Sequence, residues 1–193
     1  MIYLASRSPR RRDLLGQLGV AFGVLDLEID ETVLAGETPD ALVLRLATAK
    51  AEAGLALLGA GATDAVLGAD TIVVVDDEVL GKPRDAEDAR SMLRLLSGRC
   101  HQVLSAVALA SAAGTTTSVS ASRVCFRELS AQECAAYAAT GEPLDKAGGY
   151  GIQGRAAAFV KDLQGSYSGV VGLPLYETAE LLQEAGVAVF STG

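Results

Sequence analysis

The segment Ala65–Val75 limits the possible folds of this chain more than any other part of the sequence. It is a near-continuous apolar run, interrupted by Asp70 and followed at once by Asp76 and Asp77. Runs of this kind are typical of strands that are buried on both faces of a sheet. The two aspartates suit a hairpin turn, and we expect Glu78–Leu80 to form the returning strand.

The rest of the chain alternates predicted strands and helices. A chain of 193 residues can bury one substantial core, as one large α/β domain or as two closely joined lobes. No Pro/Ser-rich linker divides it, so we expect a single domain over residues 1–193. Further strands are predicted at 2–5, 20–27, 101–110, 116–126, 157–163 and 187–190, and helices after Ser8, Thr38, Asp85 and Ser130 and over 174–185.

The long helix that opens at Thr38 and Pro39 is predicted to bury one stripe of its surface. Helical spacing places five apolar residues on that stripe, namely Leu42, Leu46, Ala49, Ala53 and Leu57. Lys50 lies beside the stripe, where a lysine either reaches a ligand or extends to solvent.

Charge and hydropathy narrow the classes of partner. The net charge is −8 and the isoelectric point is about 4.7, which argues against nucleic-acid and acidic-membrane partners because both need a basic surface. The sequence has neither a membrane-spanning apolar run nor a secretory leader, so we expect a cytoplasmic protein. Cys100, Cys125 and Cys134 are widely spaced with only His101 nearby, which predicts core residues and neither a disulfide framework nor a metal site.

Arginines cluster where a helix should repel them. Ser8 is the predicted N-cap and Pro9 the first helical residue, so Arg10 and Arg11 fall in the first turn. The positive end of the helix dipole disfavours cations there. The cluster therefore either binds an anion such as a polyphosphate or forms a solvated face that pairs with acids.

Asp70 is the most informative carboxylate, because an ionised side chain inside an apolar strand needs compensation. It is either a structural residue held by hydrogen bonds, or a metal ligand or general base. In the second case its partner is the Asp30-Glu31 pair, since Mg²⁺ is held by one or two carboxylates together with substrate phosphates. Lys82, in Gly81-Lys82-Pro83, is either a phosphate-binding charge or a solvated loop residue.

The glycine-rich segment 148–154 contains Gln153. Glycines let a backbone approach a ligand closely. The amide of Gln153 could pair with the N3–H and O4 of uracil or thymine, or the segment is an exposed turn without a ligand.

Several motifs, in order along nearly the whole chain, resemble the Maf family of nucleoside triphosphate pyrophosphatases. They are Ala5-Ser6-x-Ser8-Pro9-Arg10-Arg11, Asp30-Glu31, Lys50-Ala51, Gly68-Ala69-Asp70-Thr71, Gly81-Lys82-Pro83, Gly141-Glu142-Pro143-x-Asp145-Lys146-Ala147-Gly148, Tyr150-x-Ile152-Gln153-Gly154 and Gly165-Ser166-Tyr167 with Val171-Gly172-Leu173-Pro174. The loop from Pro143 to Gly154 is similar to the branch that acts on dTTP and UTP. Arg7 departs from the family pattern, in which small residues are common at this position.

The resemblance implies an α/β fold: a long, twisted mixed β-sheet flanked by helices, in two lobes with the active site in the cleft between them. It implies a homodimer and release of pyrophosphate from dTTP or UTP, with Mg²⁺ or Mn²⁺ as cofactor and housecleaning of nucleotide pools as the role. The alternatives are a nucleotide sensor that regulates cell division without turnover, and a pyrophosphatase of the same fold for modified or purine nucleotides.

The resemblance also assigns roles to individual residues. Asp70 is the catalytic base or activates metal-bound water, and Glu31 is the second metal ligand. Lys82 assists the reaction and, with Arg10, Arg11 and Lys50, binds phosphate. Gln153 and Thr71 determine specificity, and Ser8 and Lys146 are further substrate-binding candidates.

Overall fold

A computed structural model describes residues 1–59 and 63–190. The strands are β1 (Ile2–Ala5), β2 (Phe22–Leu25), β3 (Ala65–Val75), β4 (Glu78–Leu80), β5 (Cys100–Ser111), β6 (Gly114–Phe126) and β7 (Val160–Gln164). The helices are α1 (Pro9–Gly16), α2 (Pro39–Leu58), α3 (Ala86–Leu96), α4 (Ala131–Ala138), α5 (Tyr167–Val171) and α6 (Leu175–Glu184). Short 3₁₀ helices cover Glu142–Asp145, Ala147–Gly149 and Arg155–Phe159.

The strands form one mixed sheet, which confirms the predicted α/β class. Their order is β2-β1-β3-β5-β6-β7, and β4 pairs with β3 off this path. β1 runs parallel to β2 and to β3, with Ile2 opposite Phe22 and Ala65. β3 is buried along almost its whole length, as expected of a strand covered on both faces.

The hairpin after β3 has the predicted turn. Asp76 and Asp77 both have positive φ, 51° and 63°, as a two-residue type I′ turn requires. Val75 then faces Glu78, and Val73 faces Leu80. Local turn chemistry therefore fixes the register of β4.

Helix starts follow the predicted caps. Ser8, Thr38, Asp85 and Ser130 each accept a backbone N–H with the side chain at the start of a helix. Ser130 also forms the predicted capping box with Glu133. These local hydrogen bonds satisfy amides that the helix leaves without partners, so they mark its beginning.

The buried stripe of α2 differs in part from the predicted one. Leu42 and Leu46 are buried as expected, but the stripe continues through Ala47, Ala51 and Gly54, and Leu57 is 65% exposed. The helix thus presents small residues to the sheet in its second half, a choice that hydropathy alone does not reveal.

Two elements between residues 155 and 171 differ from the predictions. The strand predicted at 157–163 begins only at Val160, after a 3₁₀ helix over Arg155–Phe159, because its pairing with β6 starts at Phe126 opposite Val160. The short helix α5 was not predicted.

The strand predicted at 187–190 is wrong. Val187 N donates to Leu182 O at the end of α6, and Phe190 N donates to Leu18 O after α1. These amides are used in turns and in a contact with the end of a helix, so they do not form a strand ladder.

Cys100 and Cys125 form a disulfide, and the expectation of three unpaired core cysteines is wrong for this pair. Their 25-residue separation is spanned by β5 and β6. These neighbouring strands are joined by a two-residue turn and must run antiparallel. Cys100 is exposed, whereas Cys125 and the unbridged Cys134 are buried as predicted.

The chain divides into two compact units. The first comprises residues 1–70, 105–120 and 172–193, and the second comprises 71–104 and 121–171. Within the described ranges 1–59 and 63–190, no helix is long and apolar enough to cross a membrane.

Candidate functional site

Asp70 lies in β3, in the first unit, and is 8% exposed. Its carboxylate accepts a hydrogen bond from the Lys50 ammonium, with Nζ 2.6 Å from Oδ1. Both side chains are largely buried. The compensation that the apolar strand requires is therefore a cation on α2.

Glu31 also forms an ion pair with the Lys50 ammonium. Lys50 Nζ lies 2.6 Å from Glu31 Oε1, and the Glu31 side chain is 52% exposed. A partly open carboxylate and a buried one thus converge on a single positive charge. Asp30, the other member of the predicted acidic pair, has a different role, because it accepts a hydrogen bond from Thr32 N at 2.9 Å. Hydrogen bonds from Thr32 lower the pKa of Asp30.

The close packing of α2 on β3 brings Lys50 to Asp70. A Cβ added to Gly68 would lie 2.3 Å from Ala47 O and 2.5 Å from Ala51 N. Only a glycine at this point of the strand lets the helix backbone come so near. Lys50 is next to Ala51, and Asp70 is two residues after Gly68, so this contact fixes the ion pair.

The arginines of the cluster have different partners in the structure. Arg7 forms exposed ion pairs with Asp26 and Glu28, as a solvated face would. Arg11 has its backbone N–H on the Ser8 hydroxyl at 3.4 Å and donates from Nε to Gly172 O at 2.8 Å.

The Arg11 guanidinium belongs electrostatically to the same group as Asp70 and Glu31. Burial lowers the pKa of Arg11, and the positive charge of Arg10 lowers it further, while the charges of Asp70 and Glu31 raise it. Six of the ten predicted site residues lie in the first unit, namely Ser8, Arg10, Arg11, Glu31, Lys50 and Asp70.

The two carboxylates fit a divalent cation. Their convergence on one ammonium shows that Glu31 and Asp70 can face the same cation, and hard oxygen donors of this kind suit Mg²⁺ or Mn²⁺. Within residues 1–59 and 63–190, no cluster of three or more His, Cys, Asp or Glu side chains could hold an ion alone. The remaining ligands would have to come from water and substrate phosphates, as is usual for Mg²⁺.

The second unit holds the other candidates. Thr71 follows Asp70 in β3, and Lys82 is an exposed residue just after β4. The preceding Gly81 O accepts a hydrogen bond from Gly148 N at 3.0 Å. The Lys82 segment is thereby attached to the glycine-rich segment that contains Gln153.

Gln153 is exposed in a tight turn, in which Gly154 N donates to Gly151 O at 3.0 Å. Lys146 donates from Nζ to Glu142 O at 2.7 Å and to Asp145 Oδ1 at 2.5 Å. Its charge is thus used within the loop in this structure, and binding of substrate by Lys146 stays a prediction.

Buried aromatic residues around this loop were missed by sequence reasoning. His101 and Tyr150 are joined by a hydrogen bond of 2.7 Å between Nε2 and Oη, and both rings pack edge-on against Phe126. Tyr137 bonds to Gly151 and Glu142. A tyrosine in an apolar helix gives no sign of this use, although Glu142 and Tyr150 lie within motifs shared with the Maf family.

Curated relatives cover nearly the whole chain. A "dTTP/UTP pyrophosphatase" of Aromatoleum aromaticum is 52% identical, covering 96% of this chain and 95% of its own. Proteins of the same name from Xanthomonas euvesicatoria and Salmonella typhimurium are 54% and 56% identical, covering 96% and 94% of this chain and 99% and 91% of their own.

Among solved structures, a Mycobacterium abscessus protein titled nucleoside-triphosphatase / dITP/XTP pyrophosphatase is 17% identical, with a TM-score of 0.45 over 95% of this chain and 93% of its own. Residues 1–185 match the family described as Maf-like protein. With this match and relatives more than half identical over almost their full length, the chain belongs to the Maf family.

Proposed function

We propose that this protein hydrolyses dTTP and UTP to the nucleoside monophosphate and pyrophosphate. Relatives of that name are 52%, 54% and 56% identical to this chain over nearly its whole length. The structural observation that carries the proposal is the pair of carboxylates, Asp70 and Glu31, that converge on Lys50 beside the half-buried Arg11. A buried carboxylate with an adjacent group of cations suits attack of water on a polyphosphate.

Asp70 is the general base in this reaction. Lys50 Nζ lies 2.6 Å from Asp70 Oδ1, and in our proposal this carboxyl group accepts the proton from the attacking water. Water attacks the α-phosphorus, the bond from that phosphorus to the bridging oxygen breaks, and pyrophosphate leaves.

The cations bind the phosphates and neutralise the charge that gathers on the leaving pyrophosphate. Arg10, Arg11, Lys50 and Lys82 take this role, and Ser8 contributes by ordering the first turn that carries the two arginines. Arginine presents a planar set of donors that matches phosphate oxygens, whereas lysine acts as a point charge.

Glu31 and Asp70 would hold a divalent cation together with the substrate phosphates. Mg²⁺ or Mn²⁺ bound there would lower the pKa of a coordinated water. In this structure the Lys50 ammonium contacts Glu31 Oε1 and Asp70 Oδ1. When the divalent cation and the substrate bind, Lys50 would move its ammonium from these carboxylates toward the phosphates. Loss of activity on addition of EDTA tests whether the reaction needs the divalent cation.

Gln153 reads the base. Its side-chain amide offers an acceptor for the N3–H and a donor for O4 of uracil or thymine, and cytosine reverses this pattern. Thr71 and Lys146 are the further substrate contacts that we propose in the second unit.

Pyrophosphate release from dTTP, UTP, CTP, dCTP, ATP and GTP, with Mg²⁺ or Mn²⁺ and with EDTA, tests the activity. We expect turnover of dTTP and UTP that stops with EDTA. Asp70→Asn is expected to lower kcat about 10²- to 10⁴-fold with little change in KM. The matched control is Asp26→Asn, at an exposed carboxylate paired with Arg7, which is expected to keep wild-type kinetics.

Wild-type kcat in Asp70→Asn would contradict the role of Asp70. Nucleotide binding without turnover by the unmodified protein would instead favour the sensor of nucleotide levels.

The oligomeric state, the cellular role and the partners of the protein are also proposals. We propose a homodimer that cleans nucleotide pools in the cytoplasm and binds neither nucleic acid nor membranes. The net charge of −8 supports the last point, because polyanionic surfaces repel an acidic protein. Light scattering with and without dTTP tests the dimer.

A further inference from the structure

The turn that carries Gln153 is held at both of its ends. Gly151 N donates to Tyr137 Oη at 3.1 Å, and Arg155 N donates to Glu142 Oε2 at 3.3 Å. Gly151 and Arg155 stand on either side of Gln153 in the chain. The backbone of this short turn is thus attached to two side chains from outside it.

These two side chains are also bonded to each other. Tyr137 Oη donates to Glu142 Oε1 at 2.9 Å. One hydroxyl therefore accepts from the turn and donates to the carboxylate, while the other oxygen of that carboxylate accepts from the far end of the turn. We call Tyr137 and Glu142 the clamp.

The clamp lies directly against the backbone of the turn. A Cβ added to Gly154 would lie 2.0 Å from Glu142 Oε1, and one added to Gly151 would lie 2.6 Å from Lys146 Cε. Glycine at 151 and 154 is what allows this close approach. Lys146 in turn bonds to Glu142 O at 2.7 Å.

Tyr137 is held by burial and by an aromatic contact. It is 4% exposed in α4, and its ring packs edge-on against Phe159 with the centroids 5.3 Å apart. Burial raises the pKa of Tyr137, so the hydroxyl keeps its proton and remains a donor to Glu142.

We propose that Tyr137 and Glu142 are positioning residues for base selection, and that they act by fixing the turn that presents the Gln153 amide. This inference rests on the proposed function. An amide distinguishes uracil or thymine from cytosine only if its acceptor and donor are held in one orientation, because the wrong base then leaves polar groups unpaired. Neither clamp residue belongs to the charged group of Asp70, Lys50 and Glu31, so the clamp governs selectivity and not the chemical step.

Tyr137→Phe tests the proposal, since it removes the hydroxyl and keeps the ring. We measure kcat and kcat/KM for dTTP and dCTP, which share the same sugar and differ in the base. The ratio of kcat/KM for dTTP over dCTP is expected to fall about tenfold, a reasonable effect for a small misplacement of a reading group. The kcat for dTTP is expected to change by less than about twofold.

Tyr150→Phe is the matched control. It removes another buried tyrosine hydroxyl beside the same turn, one that bonds to His101 rather than to the clamp. We expect it to lower the melting temperature at least as much as Tyr137→Phe and to leave the dTTP over dCTP ratio unchanged. A selectivity loss in both variants that follows their melting temperatures would show a general structural role and overturn the proposal.

Gln153→Ala supplies the coupling test. If the clamp acts through Gln153, adding Tyr137→Phe to Gln153→Ala has no further effect on the ratio. Independent, multiplicative effects would contradict this. Glu142→Gln removes the charge from the second clamp residue and is expected to lower the ratio in the same direction, which keeps the test open if Tyr137→Phe does not fold.

The two proposals fail in distinguishable ways. If the unmodified protein does not hydrolyse dTTP, the proposed function fails. If it does, and Gln153→Ala lowers selectivity while Tyr137→Phe and Glu142→Gln do not, only the clamp fails.

Discussion

His101, the one histidine of the sequence, is a buried side chain whose ionisation is coupled to folding. It is 3% exposed, and its ring nitrogen Nε2 bonds to Tyr150 Oη at 2.7 Å. Burial lowers the pKa of His101 from 6.5 to about 4. His101 therefore becomes protonated near pH 6.5 in the unfolded chain, but only near pH 4 in the folded protein.

Stability should consequently fall as the pH is lowered through this window. Between pH 4 and pH 6.5 the unfolded state binds more protons, so the free energy of unfolding rises with pH. For His101 alone, we expect a loss of about 2 kcal/mol from pH 7 to pH 5. Urea unfolding at steps of half a pH unit measures it.

His101→Gln is the control for this effect. It keeps a hydrogen-bonding side chain and removes the titration, so its free energy of unfolding should be nearly flat from pH 7 to pH 5. Glu37 and Glu133, whose pKa values are about 2 because of ion pairs with Arg45 and Arg127, lose their contribution only at lower pH. Equal slopes in the two proteins would show that His101 is not the source.

Individual residues also show how far sequence reasoning reaches. Asp70 stands out because a charge inside an apolar strand needs a partner. That partner, Lys50, could not be chosen from the sequence, since a lysine beside an apolar stripe equally often extends to solvent. The contacts of Tyr137 could not be predicted from the sequence, because they depend on the tertiary fold that brings Gly151 next to its hydroxyl.

At the level of elements, the contact of α2 with β3 controls the geometry of the ion pair. A methyl group at Gly68 would meet the backbone atoms Ala47 O and Ala51 N at 2.3 Å and 2.5 Å. Backbone atoms cannot rotate away, so Gly68→Ala must displace the helix or the strand. We expect a loss of about 2 kcal/mol in the free energy of unfolding, and a fall in kcat because Lys50 moves with the helix.

Gly16→Ala is the matched control for that substitution. Gly16 ends α1, and an added Cβ has no neighbour within 4 Å among the described residues. Alanine there should leave stability unchanged or raise it by a few tenths of a kcal/mol. Chemical denaturation and dTTP turnover of the two variants decide the point, and a Gly68→Ala protein as stable and active as wild type would contradict the packing argument.

Elements with local signals were predicted well, and those set by distant partners were not. Caps at Ser8 and Ser130 were correct because they involve only neighbouring residues. The apolar end of the chain was misjudged because its amides bond to Leu18 and Leu182. The helix α5 was missed although Ser166 Oγ accepts from Gly169 N at its start, because five residues give no helical periodicity.

For the whole molecule, the hairpin of β5 and β6 contains residues of both units. Residues 105–120 belong to the first unit, and the remaining residues of both strands belong to the second. The Cys100–Cys125 bond closes the base of this hairpin. Cysteine spacing could not reveal the pairing, because it depends on the register that places residue 100 beside residue 125.

The bond should stabilise the entire fold by restricting the unfolded chain. Closing a loop of 25 residues is expected to contribute about 3 kcal/mol, so dithiothreitol should lower the urea midpoint of the wild-type protein. Cys100→Ser should match the reduced protein and should not respond to the reductant.

The remaining thiol, Cys134, is buried, and burial raises its pKa, so it should react with thiol reagents only after unfolding. Disulfides are rare in the cytosol, so the state of this pair in cells needs its own measurement. Counting the free thiols of protein that is quenched with acid at cell lysis shows whether the two cysteines are oxidised in the cell. Identical midpoints with and without reductant, in a protein whose three cysteines all titrate as thiols after denaturation without reductant, would contradict the bond.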